Sequence, residues 1–247
     1  MIRFFVFMDT EKDKFDRHAE NYNETLDRCV RFSGFSASDF TERKIKEMYS
    51  LVKSDGLIDR RLRILDFGCG IGNSTPYLAR YFNGADIYSI DISPESIAKA
   101  TELNRDIPGV HFSVFDGVNI PYSAPFDLVL MAGVLHHIKP DARISILANI
   151  RDALSPTGRL FLFEHNPSNP VTLRIVRDCP FDKDAELVAH SAAADLLKRS
   201  GFVIRTLRFI HFFPKILGFL TPLEALLRKL PIGAQYYYCA GREAERV

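Results

Sequence analysis

The stretch "LRILDFGCGIGNS", Leu62 to Ser74, constrains the fold more than any other part of the chain. An apolar run of strand length reaches Asp66, and Gly68, Gly70 and Gly72 then follow at every second position. Glycines placed in this way let the chain turn tightly after a strand. They also bring the backbone close to a ligand and present the N–H groups at the start of the next helix.

The pattern around the loop agrees with that reading. From Arg61 onward "RILDFG", "DIYSIDI", "VHFSVFD", "FDLVLMAG" and "RLFLFEH" have strand character, and "NSTPYLARYF", "SPESIAKATELNR" and "ARISILANIRDALS" between them have helical periodicity. Such alternation predicts βαβ units and a parallel sheet buried on both faces. Ser93 before Pro94 is a helix cap with proline at the first helical position, and Ser155 to Gly158 reads as a turn. Beyond residue 165 comes the proline- and asparagine-rich "NPSNPVTLRIVRDCPFD", then a helix at about "SAAADLLKRSGF". Two β-rich runs follow, "FVIRTLRFIHFF" and "AQYYYCAG", separated by the apolar "PKILGFLTPLEALLRKLPIG". Ahead of the sheet, "FDRHAENYNETLDRCVRF" and "DFTERKIKEMYSLVKS" read as two helices.

With 247 residues the chain can bury the core of one sizeable domain, and one domain is expected. Its 47% hydrophobic and 26% charged residues and net charge of +1 give no global attraction to nucleic acid. Cys29, Cys69, Cys179 and Cys239 are scattered, with neither a disulfide framework nor a Cys/His metal spacing. The opening "MIRFFVFM" is too short to span a bilayer and lacks a signal-peptide cleavage site, so a cytoplasmic location is expected.

The ends of the strands choose the ligand. A dinucleotide fingerprint reads GxGxxG, whereas this loop reads GxGxG behind an acid. Asp91 ends the second strand, where a carboxylate can accept from both ribose hydroxyls of either NAD or S-adenosylmethionine. Asp116 ends the third strand, within reach of an adenine amino group, and the fourth ends in "DLVLMAGVLHHI". In this order and spacing, residues 61 to 165 resemble the class I S-adenosylmethionine-dependent methyltransferases. The flanking "FDRHAENYNETLDRCVRFSG" and "FEHNPSNPVTLRIVRDCPFDKDAEL" resemble a bacterial subgroup that acts on small molecules.

That resemblance implies a Rossmann-like α/β fold. Its sheet has seven mostly parallel strands with the last one antiparallel, helices on both faces and an N-terminal helical lid. The expected single domain, 1–247, has a cap at 1–60, a cofactor-binding core at 61–165 and an acceptor-side segment at 166–247. The resemblance places the cofactor, S-adenosylmethionine (S-adenosylhomocysteine as product), on Asp66, Gly68, Gly70 and Gly72. It adds Asp91 and Ile92, then Asp116 with Gly117, then Ala132, and Tyr22 from the N-terminal helix. The implied activity is methyl transfer to a small molecule such as a sugar, a lipid-linked compound or a secondary metabolite. The alternatives are a non-catalytic binder of the same cofactor and a nucleic-acid methyltransferase. The fourth strand lacks the Asn-Pro-Pro-aromatic motif of base-amine methyltransferases, and no basic run supplies phosphate contacts.

Methyl transfer needs a positioned acceptor and exclusion of water, and a base only for acceptors of high pKa. His136 and His137 follow the fourth strand, and Glu164, His165 and Asn166 end the fifth, all at the edge where open α/β sheets bind ligands. His137, Glu164 and His165 are the candidate catalytic groups. Asn166, Arg174 and Arg177 are candidate substrate contacts, with His190 nearby, the arginines suiting a phosphate or carboxylate. The apolar 214–233 stretch is expected to cap the core, wall a greasy acceptor pocket or rest on a membrane surface.

Overall fold

The computed structural model describes residues 12–13, 15–17, 20–58, 60–122, 125–182 and 185–243. The opening "MIRFFVFM" lies outside them. Seven strands form one sheet: β1 Arg63–Phe67, β2 Asp86–Asp91, β3 Val110–Val114, β4 Phe126–Ala132, β5 Leu154–His165, β6 Val203–Ile210 and β7 Gln235–Gly241. Their spatial order is β3-β2-β1-β4-β5-β7-β6. β7 runs antiparallel to both β5 and β6, and the remaining pairings are parallel. The expected architecture is therefore the one observed. β7 lies inside the sheet, between β5 and β6, and β6 forms the edge.

Burial explains the apolar runs. Helices α5 Pro140–Ala153 and α7 His190–Arg199 contribute to the hydrophobic cluster on one face, and α2 Ala37–Ser54 and α3 Thr75–Tyr81 to the cluster on the other. Successive residues of β7 serve the two faces in turn, Tyr236 and Tyr238 in the first cluster, Tyr237 and Cys239 in the second. Three tyrosines can be buried because each hydroxyl has an acceptor: Val188 O for Tyr236 (2.7 Å), Glu47 Oε2 for Tyr237 (3.0 Å) and His190 O for Tyr238 (2.8 Å).

The turn expected at Ser155 to Gly158 is absorbed into β5 as an irregularity. Leu154 pairs with Phe126, but the next pair is Arg159 with Leu128, so the intervening residues bulge from the ladder. Pro156 has no N–H to donate there. Ser93 caps α4 Pro94–Leu103 as expected, its hydroxyl accepting from Ser96 N. Ahead of the sheet lie α1 Tyr22–Val30 and α2, the latter opened by a reciprocal capping box between Ser36 and Asp39. After β5, Asn169 caps α6 Pro170–Asp178.

Candidate functional site

The carboxyl ends of β1, β2, β4 and β5 converge where the strand order reverses, between β1 and β4, and a cavity of about 410 Å³ opens there. Its floor is the loop after β1. Gly68 has φ +74°, and a Cβ on it would stand 2.5 Å from Val134 Cγ2, so only glycine lets this loop and the one after β4 meet. Gly68 and Gly70 line the cavity. Gly72 does not: a Cβ there would meet Asn104 Nδ2 at 2.7 Å and Ala100 Cβ at 3.1 Å, so the third glycine lets α4 pack on the loop.

Two acids flank the floor. Asp91 Oδ2 accepts from Gly70 N at 2.8 Å and Oδ1 from Ser93 N at 3.0 Å, which leaves each oxygen a further lone pair toward the cavity. Burial raises its pKa. Asp66 is more deeply buried, and burial, with Asp91 nearby, lifts its pKa to about 7. Its Oδ2 has no hydrogen-bond partner among the described residues. A ligand ammonium would satisfy that oxygen, and ribose hydroxyls would satisfy Asp91, so these residues fit the amino-acid and sugar parts of S-adenosylmethionine. Ile92, Phe115, Gly117 and Ala132 line the cavity beside them, and Tyr22 closes it, its ring 4.7 Å from that of Phe181.

Asp116 is placed differently. Its carboxylate accepts from Val118 N (2.8 Å), Asn119 N (2.6 Å) and Asn119 Nδ2 (3.0 Å), which lowers its pKa and turns it into its own loop, off the cavity wall.

On the other side of the floor, carboxylates and imidazoles interlock. His136 Nδ1 donates to Glu164 Oε2 at 2.5 Å, both buried, and Glu164 Oε1 accepts from Leu135 N at 2.8 Å. Glu164 therefore sits behind the wall and does not line the cavity. Asp182 Oδ1 lies 3.4 Å from both His136 Nε2 and His137 Nε2, and its Oδ2 lies 3.7 Å from His165 Nε2. Burial opposes charge on His136, but Glu164 and Asp182 overcome it and raise the pKa to about 10. His165 goes the other way: burial depresses it to about 4, so the ring is neutral near pH 7.

Donor atoms of His136, His165 and Asp182 lie within 4.8 Å of one another, a spacing open to a divalent cation. The proton on His136 already supplies positive charge between its two carboxylates, and a metal would have to displace it.

Other candidates fall outside the cavity. Asn166 is fully buried and holds the backbone, donating from Nδ2 to Pro231 O (3.0 Å) and Gly233 O (2.8 Å). The Arg174 guanidinium lies 5.7 Å from the Phe32 ring centre, Arg177 bonds Asp178 on the surface, and His190 packs on Phe209 and Tyr236. Neither arginine lines the cavity. Sequence reasoning missed Lys44 and Asp182, which do. Lys44 lies on the α2 face with Thr41, Ile45 and Met48, a cation interrupting an otherwise apolar stripe. Asp182 stands in "CPFD", where no neighbouring motif marks it apart from the other charged residues of the segment.

The far wall is greasy. Phe32, Phe35 and Phe40 approach from the N-terminal segment, and Phe212, Phe213 and Pro214 from the end of β6.

Residues 65–160 match the family described as methyltransferase domain. A trans-aconitate 2-methyltransferase from Methylobacterium nodulans is 33% identical over 135 residues, 53% of this chain and 50% of that protein. The enzyme of that name from Mycobacterium tuberculosis is 30% identical over 176 residues, 66% of this chain and 64% of that protein. The chain thus spans less than two thirds of these relatives' lengths. Magnesium protoporphyrin IX methyltransferase from Synechocystis, solved with bound S-adenosylhomocysteine, shares the fold with a TM-score of 0.66 at 16% identity, covering 96% of this chain and 100% of that one. Glycine loop, strand order and the family match over residues 65–160 together support a class I S-adenosylmethionine-dependent methyltransferase.

Proposed function

We propose that the protein transfers a methyl group from S-adenosylmethionine to a small acceptor that has an apolar body and a hydroxyl or amine at its reacting end. The observation that carries this reading is the continuity of one cavity. It runs from the Gly68–Gly70 floor to the aromatic wall, with His165, Asp182 and Lys44 as polar groups on its lining. In this reading the described parts of 1–60 and 166–247 close over the 61–165 core as parts of one domain.

When bound, S-adenosylmethionine supplies an electrophilic methyl group on a sulfonium. Asp66 holds its ammonium and Asp91 its ribose hydroxyls, with Tyr22 covering the floor and Ile92, Gly117 and Ala132 completing the pocket. Asp116 acts by shaping the loop that carries Gly117. His165, neutral at physiological pH, accepts the proton that the acceptor loses, and Asp182 stabilises the resulting imidazolium. Glu164 positions His136, and His136 and His137 in turn hold Asp182 in place. The acceptor's body lies against Phe35, Phe40 and Phe213, which exclude water from the reacting atoms.

His165→Ala tests the reading. Calorimetry should show unchanged affinity for S-adenosylhomocysteine, and transfer of labelled methyl groups into acceptors from a cell extract should fall by roughly 100-fold or more. Full turnover in that variant would remove His165 as the base. No transfer by the unaltered protein into any extract would refute the activity.

A further inference from the structure

Between β6 and β7 the usual order of burial is inverted. A 3₁₀ segment, Lys215–Leu223, leads into the short helix α8, Glu224–Leu227. Ile216, Phe219 and Leu226 are 86%, 74% and 79% exposed, while Glu224 is 7% exposed. A helix resting on a protein in water turns its acids out and its leucines in. Here Glu224 points inward, Oε2 accepting from Arg43 Nη2 at 2.8 Å and Oε1 from Phe212 N at 3.0 Å. The far end is held from beneath by Asn166, bonded to Pro231 O and Gly233 O, and by Asn169, whose Nδ2 donates to Ile232 O at 2.7 Å. Polar contacts thus fasten the segment to the body and leave its hydrocarbon facing away. The segment kinks at Leu217, and Ile216 and Phe219, on either side of the kink, are both turned to solvent.

The apolar rim continues around the mouth of the cavity. A Cβ on Gly34 would lie 3.1 Å from Lys215 Cβ, so the turn carrying Phe32 abuts the start of the segment. Phe32 is 71% exposed and lies under Arg174 of α6. Val171 and Leu173 of α6 are exposed too, and Asn169, which caps that helix, is the residue bonded to Ile232. The circuit closes there, and Phe32, Val171 and Pro214 on it also line the cavity.

Charge selects the occupant. Within 214–233 Lys215 pairs with Asp39 of α2 at 3.5 Å, which leaves Arg228 and Lys229 as the basic groups of the segment, and the lone acid is the inward Glu224. A two-fold contact between copies would set this basic face against itself, whereas anionic head groups complement it. We infer that the rim docks on an anionic lipid bilayer, with Ile216, Phe219 and Leu226 among the upper acyl chains and Arg228 and Lys229 at the head groups. The cavity then opens on to the membrane. That the acceptor enters from the bilayer rests, in addition, on the methyl-transfer reading.

Sedimentation of the full chain with vesicles of phosphatidylcholine, alone or mixed with phosphatidylglycerol, tests the docking. Binding should require the anionic lipid, weaken with salt, and fall roughly tenfold or more in the double variant Phe219→Ser, Leu226→Ser. Lys229→Glu should weaken it less. The substituted side chains are exposed, so the melting temperature and S-adenosylhomocysteine affinity should stay as in the unaltered protein. Absence of binding to anionic vesicles, or binding indifferent to the double substitution, would overturn the inference. So would a dimer in analytical ultracentrifugation that the same substitutions dissociate. Vesicle binding by a protein that fails to bind S-adenosylhomocysteine would leave the docking intact and overturn the methyl-transfer reading instead.

Discussion

His136 Nδ1 and Glu164 Oε2 stand 2.5 Å apart with both side chains buried, which ties the loop after β4 to the end of β5. Glu164 also accepts from Leu135 N, so one carboxylate fixes both the imidazole and the backbone that carries it. Asp182, held by His136 and His137, inherits its position from that anchor.

Glu164→Gln should therefore destabilise the fold by about 3–5 kcal/mol, the cost of leaving a buried ion pair half broken. The raised pKa of His136 adds a pH signature. A group with a folded pKa of about 10, against an ordinary value near 6.5, stabilises fully below 6.5 and loses that contribution as pH rises toward 10. Thermal melts from pH 7 to 10 should show a decline in the unaltered protein that flattens in Glu164→Gln.

Gly68→Ala combines a positive φ with a Cβ 2.5 Å from Val134 Cγ2. Loss of about 1–3 kcal/mol of stability is expected, together with weaker S-adenosylhomocysteine binding. Adding Val134→Ala should restore part of the stability, because it removes the collision and leaves only the backbone strain. Denaturant titration of the single and double variants measures both contributions.

Asp91→Ala removes the carboxylate that accepts from Gly70 N and Ser93 N and, in the proposed complex, from the ribose. Calorimetry should record a loss of about 2–3 kcal/mol in affinity for S-adenosylhomocysteine, roughly 30- to 150-fold. Asp116→Ala should change that affinity little and instead loosen its own loop.

His165 and His211 carry folded pKa values of about 4 and about 3 because burial disfavours their charged forms. The unfolded chain then binds more protons between pH 6.5 and these values, so stability should drop as pH falls through that window. For the same reason the acid limb of kcat/KM should lie well below the ordinary histidine value. A limb near pH 6.5 that disappears in His165→Asn would contradict the assigned environment.

The half of the molecule that holds the cofactor was legible because each feature is local. Apolar runs, glycine spacing and acids at strand ends all lie within a few residues of one another, and the sheet followed from them. Asp116 shows the limit: an acid at the right strand end can be consumed by its own turn, and spacing does not reveal which way it faces. Asn166 was misread for a long-range reason, since its partners lie 65 and 67 residues away in sequence. Lys44 was invisible because its use depends on how α2 docks, and a lysine on a helix is ordinarily solvated. Glu224 is the sharpest case, an acid in a leucine-rich stretch whose inward direction is set by Arg43 on a distant helix.

The reversed direction of β7 has a consequence for diversification. Because β6 ends and β7 begins at the same edge of the sheet, the whole excursion between Ile210 and Gln235 emerges beside the cavity and returns there without crossing the fold. It works as a cassette, open to exchange at two fixed ends while the glycine loop and its acids stay untouched. Chimeras that swap residues 214–233 between proteins of this architecture should alter acceptor choice without disturbing cofactor binding.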